Sequence, residues 1–104
     1  MTNCTPPTPA RVQVTRRAER DLRAVSAADR RRIATALNAL SAGAENLDVK
    51  ALAGISPWLR LRVGDWRVLY RPTTEHEARA GGADWFIARI INRRDLERAT
   101  RSLT

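Results

Sequence analysis

The sequence is short of the residues that hold many small folds together. It has one cysteine and one histidine in 104 residues, and only 5% of its residues are aromatic. One cysteine cannot form an intrachain disulfide, and Cys4 with His76 supplies too few ligands for an ordinary zinc site. Cys4 also has no neighbouring base in the sequence, which argues against a thiol nucleophile. We therefore expect neither a metal nor another cofactor.

Long apolar runs are absent as well. The longest strongly apolar stretch runs only from Trp85 to Ala88, whereas a membrane-spanning helix needs about 20 apolar residues. The first nine residues are polar and proline-rich, without the basic and apolar regions of a signal peptide. We expect a cytoplasmic protein with no membrane segment. Residues 1–10 are predicted to be a disordered tail and residues 11–104 a single domain.

Positive charge, by contrast, is abundant. The chain has 19 basic and 11 acidic residues, which gives a net charge of +8, and every basic residue except Lys50 is an arginine. A small domain with this excess attracts polyanions. Nucleic acid is the commonest such partner, and an acidic protein would satisfy the same field. Charge alone does not separate these two classes of partner.

The periodicity of the apolar residues predicts an α+β fold with the order β-α-α-β-β-β. We expect a small, mainly antiparallel sheet with a helical hairpin packed on one face, and the last residues are compatible with a short C-terminal helix. The predicted strands and loops are residues 11–14 (strand), 44–57 (loop with one turn or short strand around 49–52), 58–63 and 66–71 (hairpin), 72–83 (long polar loop) and 85–91 (strand).

Two helices fill the segment between the first strand and the first loop. Thr15 can cap the first helix, and the box from Ser26 to Asp29 can start the second, which ends near Gly43. One unbroken helix over residues 16–42 is the alternative. We favour two helices because Asp29 falls where a continuous apolar stripe needs an apolar residue.

The hairpin over residues 58–71 is the clearest pattern in the chain. Two alternating runs flank Gly64-Asp65, which is typical of a two-residue type I′ or II′ turn. Pairing Val63 with Trp66 separates two faces of the hairpin. The core face carries Leu59, Leu61, Val63, Trp66, Val68 and Tyr70, and the other face carries Arg60, Arg62, Arg67 and Arg71 with Leu69 among them.

The same pairing places Arg62 directly opposite Arg67. Like charges at facing positions destabilise a sheet, so a phosphate lying between them would explain the pair. The alternative is a solvated face on which the long side chains splay apart. Asp65 in the turn is the only acidic residue between positions 55 and 71, which favours the phosphate.

With these residues in hand, the sequence resembles the RelE/ParE toxin superfamily of bacterial toxin–antitoxin systems from about Val12 to Leu96. The hairpin from Leu59 to Tyr70 is closest to the family's pattern. The other matching pieces are Thr15 to Leu22, Val49 to Gly54 and Asn92 to Leu96.

The RelE branch implies a ribonuclease that cuts messenger RNA in the ribosomal A site by attack of a ribose 2′-OH, without a metal. By position, Arg60, Arg62 and Arg67 match the family's hairpin cations, and Arg93 matches its last-strand arginine. The sequence departs from the family at Asn92, where many members have His, and at Glu97, near the position of a terminal Tyr. Glu97 is the candidate base in its place, and the alternative is a carboxylate on the surface of the last helix. The candidate nucleic-acid contacts are Lys50, Trp58, Arg71 and Arg94.

The resemblance also implies binding partners and two alternatives to the ribonuclease function. An acidic antitoxin is the expected protein partner, and the ribosome with its mRNA is the expected target. The ParE branch shares the fold but poisons DNA gyrase by binding, and a homologue without catalytic activity is the third alternative.

Overall fold

A computed structural model describes residues 12–44, 46–81, 84–101 and 103 of the chain. The predicted tail over residues 1–10 lies outside this part. The elements in chain order are β1 (Val12–Val14), α1 (Arg16–Arg23), α2 (Ala27–Ser41), β2 (Val49–Ala51), β3 (Leu59–Val63), β4 (Trp66–Pro72), α3 (Glu75–Gly81), β5 (Trp85–Asn92), a 3₁₀ turn (Arg93–Asp95) and α4 (Leu96–Arg101).

The strands form one sheet in the order β1-β5-β4-β3-β2. β1 runs parallel to β5, and every other neighbouring pair is antiparallel. Helices α1 and α2 cover one face with their apolar stripes, so the predicted α+β fold with a helical hairpin on one face is confirmed. The buried residues of this core are Val12, Ala18, Val25, Ile33, Leu37, Leu40, Leu61, Val68, Tyr70, Ile87 and Ile90.

The break between the two helices falls where the sequence predicts it. Thr15 Oγ1 accepts a hydrogen bond from the Ala18 amide at 3.1 Å, and Ser26 Oγ accepts one from the Asp29 amide at 3.3 Å. The Asp29 carboxylate in turn accepts a hydrogen bond from Trp66 Nε1 at 3.1 Å. The polar residue that interrupts the apolar stripe therefore links α2 to β4.

The hairpin has the predicted register. Val63 pairs with Trp66 and Arg62 pairs with Arg67. Gly64 has a φ of +60°, a left-handed conformation that glycine adopts without steric cost. Because side chains alternate between the faces of a strand, the apolar set enters the core under α1 and α2, and the arginines emerge on the opposite face.

The prediction of a loop throughout residues 72–83 is wrong over Glu75–Gly81, which form α3. A capping box starts this helix: Thr74 Oγ1 accepts from the Glu77 amide at 3.1 Å, and the Glu77 carboxylate accepts from the Thr74 amide at 2.8 Å. The segment has no large apolar residue, so it produces no helical stripe in the sequence. Arg71 donates two hydrogen bonds to Glu77, at 2.8 and 3.1 Å, and joins α3 to the sheet.

The opposite face of the sheet is partly covered by α4. Leu69 is fully buried there and packs with Ile91 and Ala99. The sequence places Leu69 among the arginines of this face, and the structure shows why an apolar residue stands there: α4 packs over it. The short C-terminal helix is therefore confirmed.

Helix α1 follows β1 in the chain and lies beside β5. Thr15 Oγ1 donates a hydrogen bond to the carbonyl of Ala88 at 3.1 Å, and the Asp21 carboxylate accepts from the amide of Ile90 at 3.0 Å. Arg89 Nε donates to the same carboxylate at 2.8 Å, and both side chains are mostly buried. These contacts hold α1 against the part of β5 that extends beyond its pairing with β1. Among the described residues, no helix is long and apolar enough to cross a membrane.

Candidate functional site

An open groove of about 450 Å³ lies on the face that α4 leaves uncovered. β3 and β4 place Arg60, Arg62 and Arg67 on this face, with Arg62 directly opposite Arg67. The groove therefore brings three of the predicted catalytic arginines together with the predicted nucleic-acid contact Lys50. Its lining residues are Lys50, Ala51, Leu52, Ala53, Arg60, Arg62, Arg67 and Leu96.

Asp48 supplies a counter-charge that the sequence pattern missed. Its carboxylate lies 3.7 Å from Arg60 Nη2 and 3.9 Å from Arg62 Nη1. Arg62 also donates its backbone amide to the Asp48 carbonyl at 2.9 Å, just before β2 begins to pair with β3. The expectation that little acid offsets the arginine face is wrong for Arg60 and Arg62, because the acid lies outside the hairpin in sequence. Pairing residues 49–51 with β3 would have revealed it.

Arg67 differs from its neighbours because no carboxylate in the described part of the chain pairs with it. Its Nη1 donates to the carbonyls of Gly64 at 2.9 Å and Trp66 at 3.0 Å, which holds the side chain along the turn. Burial, and then the charges of Arg62, Arg60 and Arg93, lower the pKa of Arg67. An arginine stays protonated at neutral pH even so. Burial is the largest cause of this lowering, and the charge of Asp48 opposes it. The position of Arg67 directly opposite Arg62 concentrates positive charge there, and a bound anion would relieve the repulsion.

Arg93 and Arg94 border a smaller pocket of about 290 Å³ beside the hairpin turn, lined also by Asp65 and Asn92. Arg93 Nε lies 3.8 Å from the Asp65 carboxylate, and both side chains are mostly exposed. Asn92, which stands where many family members have His, has a structural contact: its Oδ1 accepts from the Arg94 amide at 3.2 Å and caps the 3₁₀ turn. Arg93 thus adds its charge to the edge of the arginine groove.

Besides Arg93 and Arg94, three predicted site residues lie outside the groove lining. The Arg71 guanidinium packs 4.1 Å from the centre of the Phe86 ring and 5.6 Å from that of Trp58, and it is engaged by Glu77. That hydrogen-bonded pairing raises the pKa of Arg71 and, with the Thr74 amide, lowers the pKa of Glu77 to about 2. Arg71 therefore joins α3 to the sheet, and Trp58 packs against the Arg71 guanidinium.

Glu97, the third of these residues, lies on α4 directly after the groove-lining Leu96. Its side chain is 89% exposed, and its carboxylate is 3.5 Å from Arg101 Nη2. Among the lining residues of the groove, the only ionisable side chains are cationic. Within the described residues, no cluster of His, Cys, Asp or Glu could hold a metal ion.

Comparison with known families gives this cationic groove a context. The family model for the ParE toxin of the type II toxin–antitoxin system parDE matches residues 12–97. The chain belongs to this family. A search of curated proteins finds no match to this toxin.

Two solved structures share the toxin's fold. The first is a RelB–RelE antitoxin–toxin complex from Methanococcus jannaschii, with a TM-score of 0.65 and 19% identity over 83% of this chain and 95% of that one. The second is an archaeal RelE–RelB complex from Pyrococcus horikoshii OT3, with a TM-score of 0.59 and 24% identity over 80% of this chain and 93% of that one. The predicted membership of the RelE/ParE superfamily is confirmed.

Proposed function

We propose that this toxin binds the phosphodiester backbone of messenger RNA in the ribosome through the arginine groove and cleaves it there. The observation that carries the proposal is the position of Arg67, which lies directly opposite Arg62, lines the groove with Arg60, and makes no ion pair with a carboxylate in the described part of the chain. A phosphate is the anion that a planar guanidinium binds best, through two parallel hydrogen bonds.

In the proposed reaction, the ribose 2′-oxygen forms a bond to the adjacent phosphorus while the bond from phosphorus to the 5′-oxygen breaks. The 2′-OH loses its proton, the 5′-oxygen gains one, and the products are a 2′,3′-cyclic phosphate and a 5′-OH. Negative charge grows on the phosphate oxygens in the transition state. Arg67 and Arg93 stabilise this charge, and Arg60 and Arg62 position the backbone.

Glu97 is assigned as the general base, which requires its carboxylate to turn from Arg101 toward the groove beyond Leu96. The exposed pair with Arg101 is worth about 0–1 kcal/mol, so breaking it costs little. Glu97→Gln should therefore lower single-turnover cleavage while ribosome binding stays intact. Unchanged cleavage would remove Glu97 from the mechanism and leave proton transfer to solvent.

A second candidate function is inhibition of DNA gyrase by binding alone. Two observations favour it: the match to the ParE family model and the purely cationic set of ionisable side chains in the groove. Cleavage of mRNA on translating ribosomes and supercoiling by gyrase, each measured with the same purified toxin, decide between the two. Cleavage with normal supercoiling supports the ribonuclease, and the reverse result supports the gyrase inhibitor. A protein inactive in both assays would be a homologue without toxic activity.

We also propose that an acidic antitoxin covers the groove. The two similar structures are toxins in complex with antitoxins. Next to the cationic groove, β2 forms the end of the sheet, and Val49 on it is 40% exposed. A strand or helix with acidic and apolar residues would match both features. Pull-down from the native operon should recover such a protein, and recovery of a lone, harmless monomer would contradict the toxin assignment.

A further inference from the structure

The outer face of α1 carries a second set of arginines, which the groove does not use. Arg16, Arg20 and Arg23 are spaced i, i+4, i+7 along this helix, and all three are exposed. At about 100° per residue, their directions fall within about 60° of one another. Ala18 and Leu22, which pack into the core, point to the opposite side. We call Arg16, Arg20 and Arg23 the α1 stripe.

The α1 stripe is free of counter-charge in the part of the chain that the structure describes. None of its three members makes an ion pair there, whereas the other arginine of the helix, Arg17, lies 4.0 Å from the Asp21 carboxylate. Glu19 borders the stripe on the exposed surface. The remaining acid of the helix, Asp21, is engaged by Arg89 and by the Ile90 amide.

Two arginines on α2, unlike those of the α1 stripe, make hydrogen bonds or ion pairs within the fold. Arg30 donates to the carbonyls of Leu22, Arg23 and Val25 and so caps the end of α1. Arg32 lies 3.6 Å from the Asp29 carboxylate. The stability of the fold accounts for these two residues, but it does not account for the α1 stripe.

We propose that the α1 stripe is a docking surface for the phosphodiester backbone of a double-helical nucleic acid, separate from the arginine groove. The three arginines span about 10 Å at 1.5 Å rise per residue. A duplex strand carries one phosphate per about 3.4 Å of axis, so this length faces about three phosphates.

An acidic protein fits this surface less well. Protein interfaces have an apolar centre that is depleted of charge, whereas nucleic-acid interfaces depend on positive charge. Among the described residues, Val49 is the one large apolar side chain that is exposed. It lies on β2, which β3 and β4 separate from β5, the strand that α1 contacts. The helix surface offers charge without an apolar centre, which matches a phosphate backbone.

The test measures binding of the full-length toxin to short RNA and DNA duplexes by fluorescence anisotropy over a range of salt concentrations. Log affinity falls linearly with log salt concentration, and each phosphate contact adds about 0.9 to the magnitude of this slope. A lower slope below means a smaller magnitude. Replacing Arg16, Arg20 and Arg23 together with Gln, which has a similar helix propensity, should lower the slope by about 2 to 3. The duplex whose slope falls more identifies the nucleic acid that the stripe binds.

The matched control replaces Arg79, Arg98 and Arg101 with Gln, which removes the same charge from exposed arginines that already pair with carboxylates. Arg20→Gln alone should lower the slope by about 0.9, and it keeps the test decisive where the triple variant does not fold. An equal loss of slope in the control would show that only net charge matters, and an unchanged slope in the stripe variant would overturn the proposal. So would a loss of antitoxin capture with duplex binding intact.

Discussion

Replacing Arg67 with alanine separates the contribution of this residue to the fold from its contribution to the proposed cleavage. The side chain donates hydrogen bonds to the carbonyls of Gly64 and Trp66 at the hairpin turn. Each is worth about 0.5–1.5 kcal/mol net, and water can replace the donor at the exposed turn. Loss of the repulsion from Arg62 offsets several tenths of a kcal/mol. We therefore expect the free energy of unfolding to fall by only about 1 kcal/mol.

The expected effect on cleavage is much larger. Removing one preorganised donor to a developing anion lowers the rate by about 10²–10³, which corresponds to roughly 3–4 kcal/mol of transition-state stabilisation. Binding to the ribosome should fall less, because Arg60, Arg62 and Lys50 still line the groove. Single-turnover cleavage on programmed ribosomes, together with a separate measurement of ribosome affinity, distinguishes the two effects.

Two further variants complete this experiment. Arg67→Lys should restore only part of the rate, because an ammonium group cannot reproduce the planar fork of a guanidinium. Arg31→Ala removes one positive charge from an exposed position on α2 and serves as the control. Equal, small losses of cleavage in Arg67→Ala and Arg31→Ala would show that net charge alone matters and would refute the role assigned to Arg67.

Three other substitutions test separate parts of the structure. Asp48→Asn removes the carboxylate that pairs with the mostly buried Arg60 and the exposed Arg62. The exposed pair with Arg62 is worth about 0–1 kcal/mol, so affinity for an RNA oligonucleotide should rise by up to about fivefold. A lower affinity would show that Asp48 positions these arginines. The pKa of Glu77 is lowered from its usual 4.5 to about 2, so its contribution to stability is present above pH 4.5 and is lost as the pH falls toward 2. Thermal melting against pH should show this loss in the wild type and in Glu75→Gln, and not in Glu77→Gln. Asp21→Ala leaves Arg89 without its mostly buried partner and should lower the free energy of unfolding, measured in urea, by about 2–3 kcal/mol. The control, Glu75→Ala, breaks an exposed pair and should change the free energy of unfolding by less than about 0.5 kcal/mol.

The sequence by itself determined the elements whose causes are local. The register of the hairpin follows from strict alternation on both sides of a two-residue turn, since a shift by one residue would turn Leu61 and Val68 away from the core. The start of α1 follows from the hydroxyl group of Thr15, and the start of α2 after the break follows from that of Ser26, since each caps the amide three residues later. The same alternation places Arg60, Arg62 and Arg67 on one face before any tertiary contact is known.

The tertiary structure decided which of these arginines is available to a ligand. Asp48 pairs with Arg60 and Arg62 because β2 lies beside β3. Glu77 engages Arg71 because a capping box starts α3. Sequence periodicity reports which face of an element a side chain occupies. It does not report which charged group of another element comes within 4 Å, because that distance depends on how the strands and helices pack. For the same reason, Arg67, which faces Arg62 across the hairpin, makes no ion pair with a carboxylate in the described part of the chain.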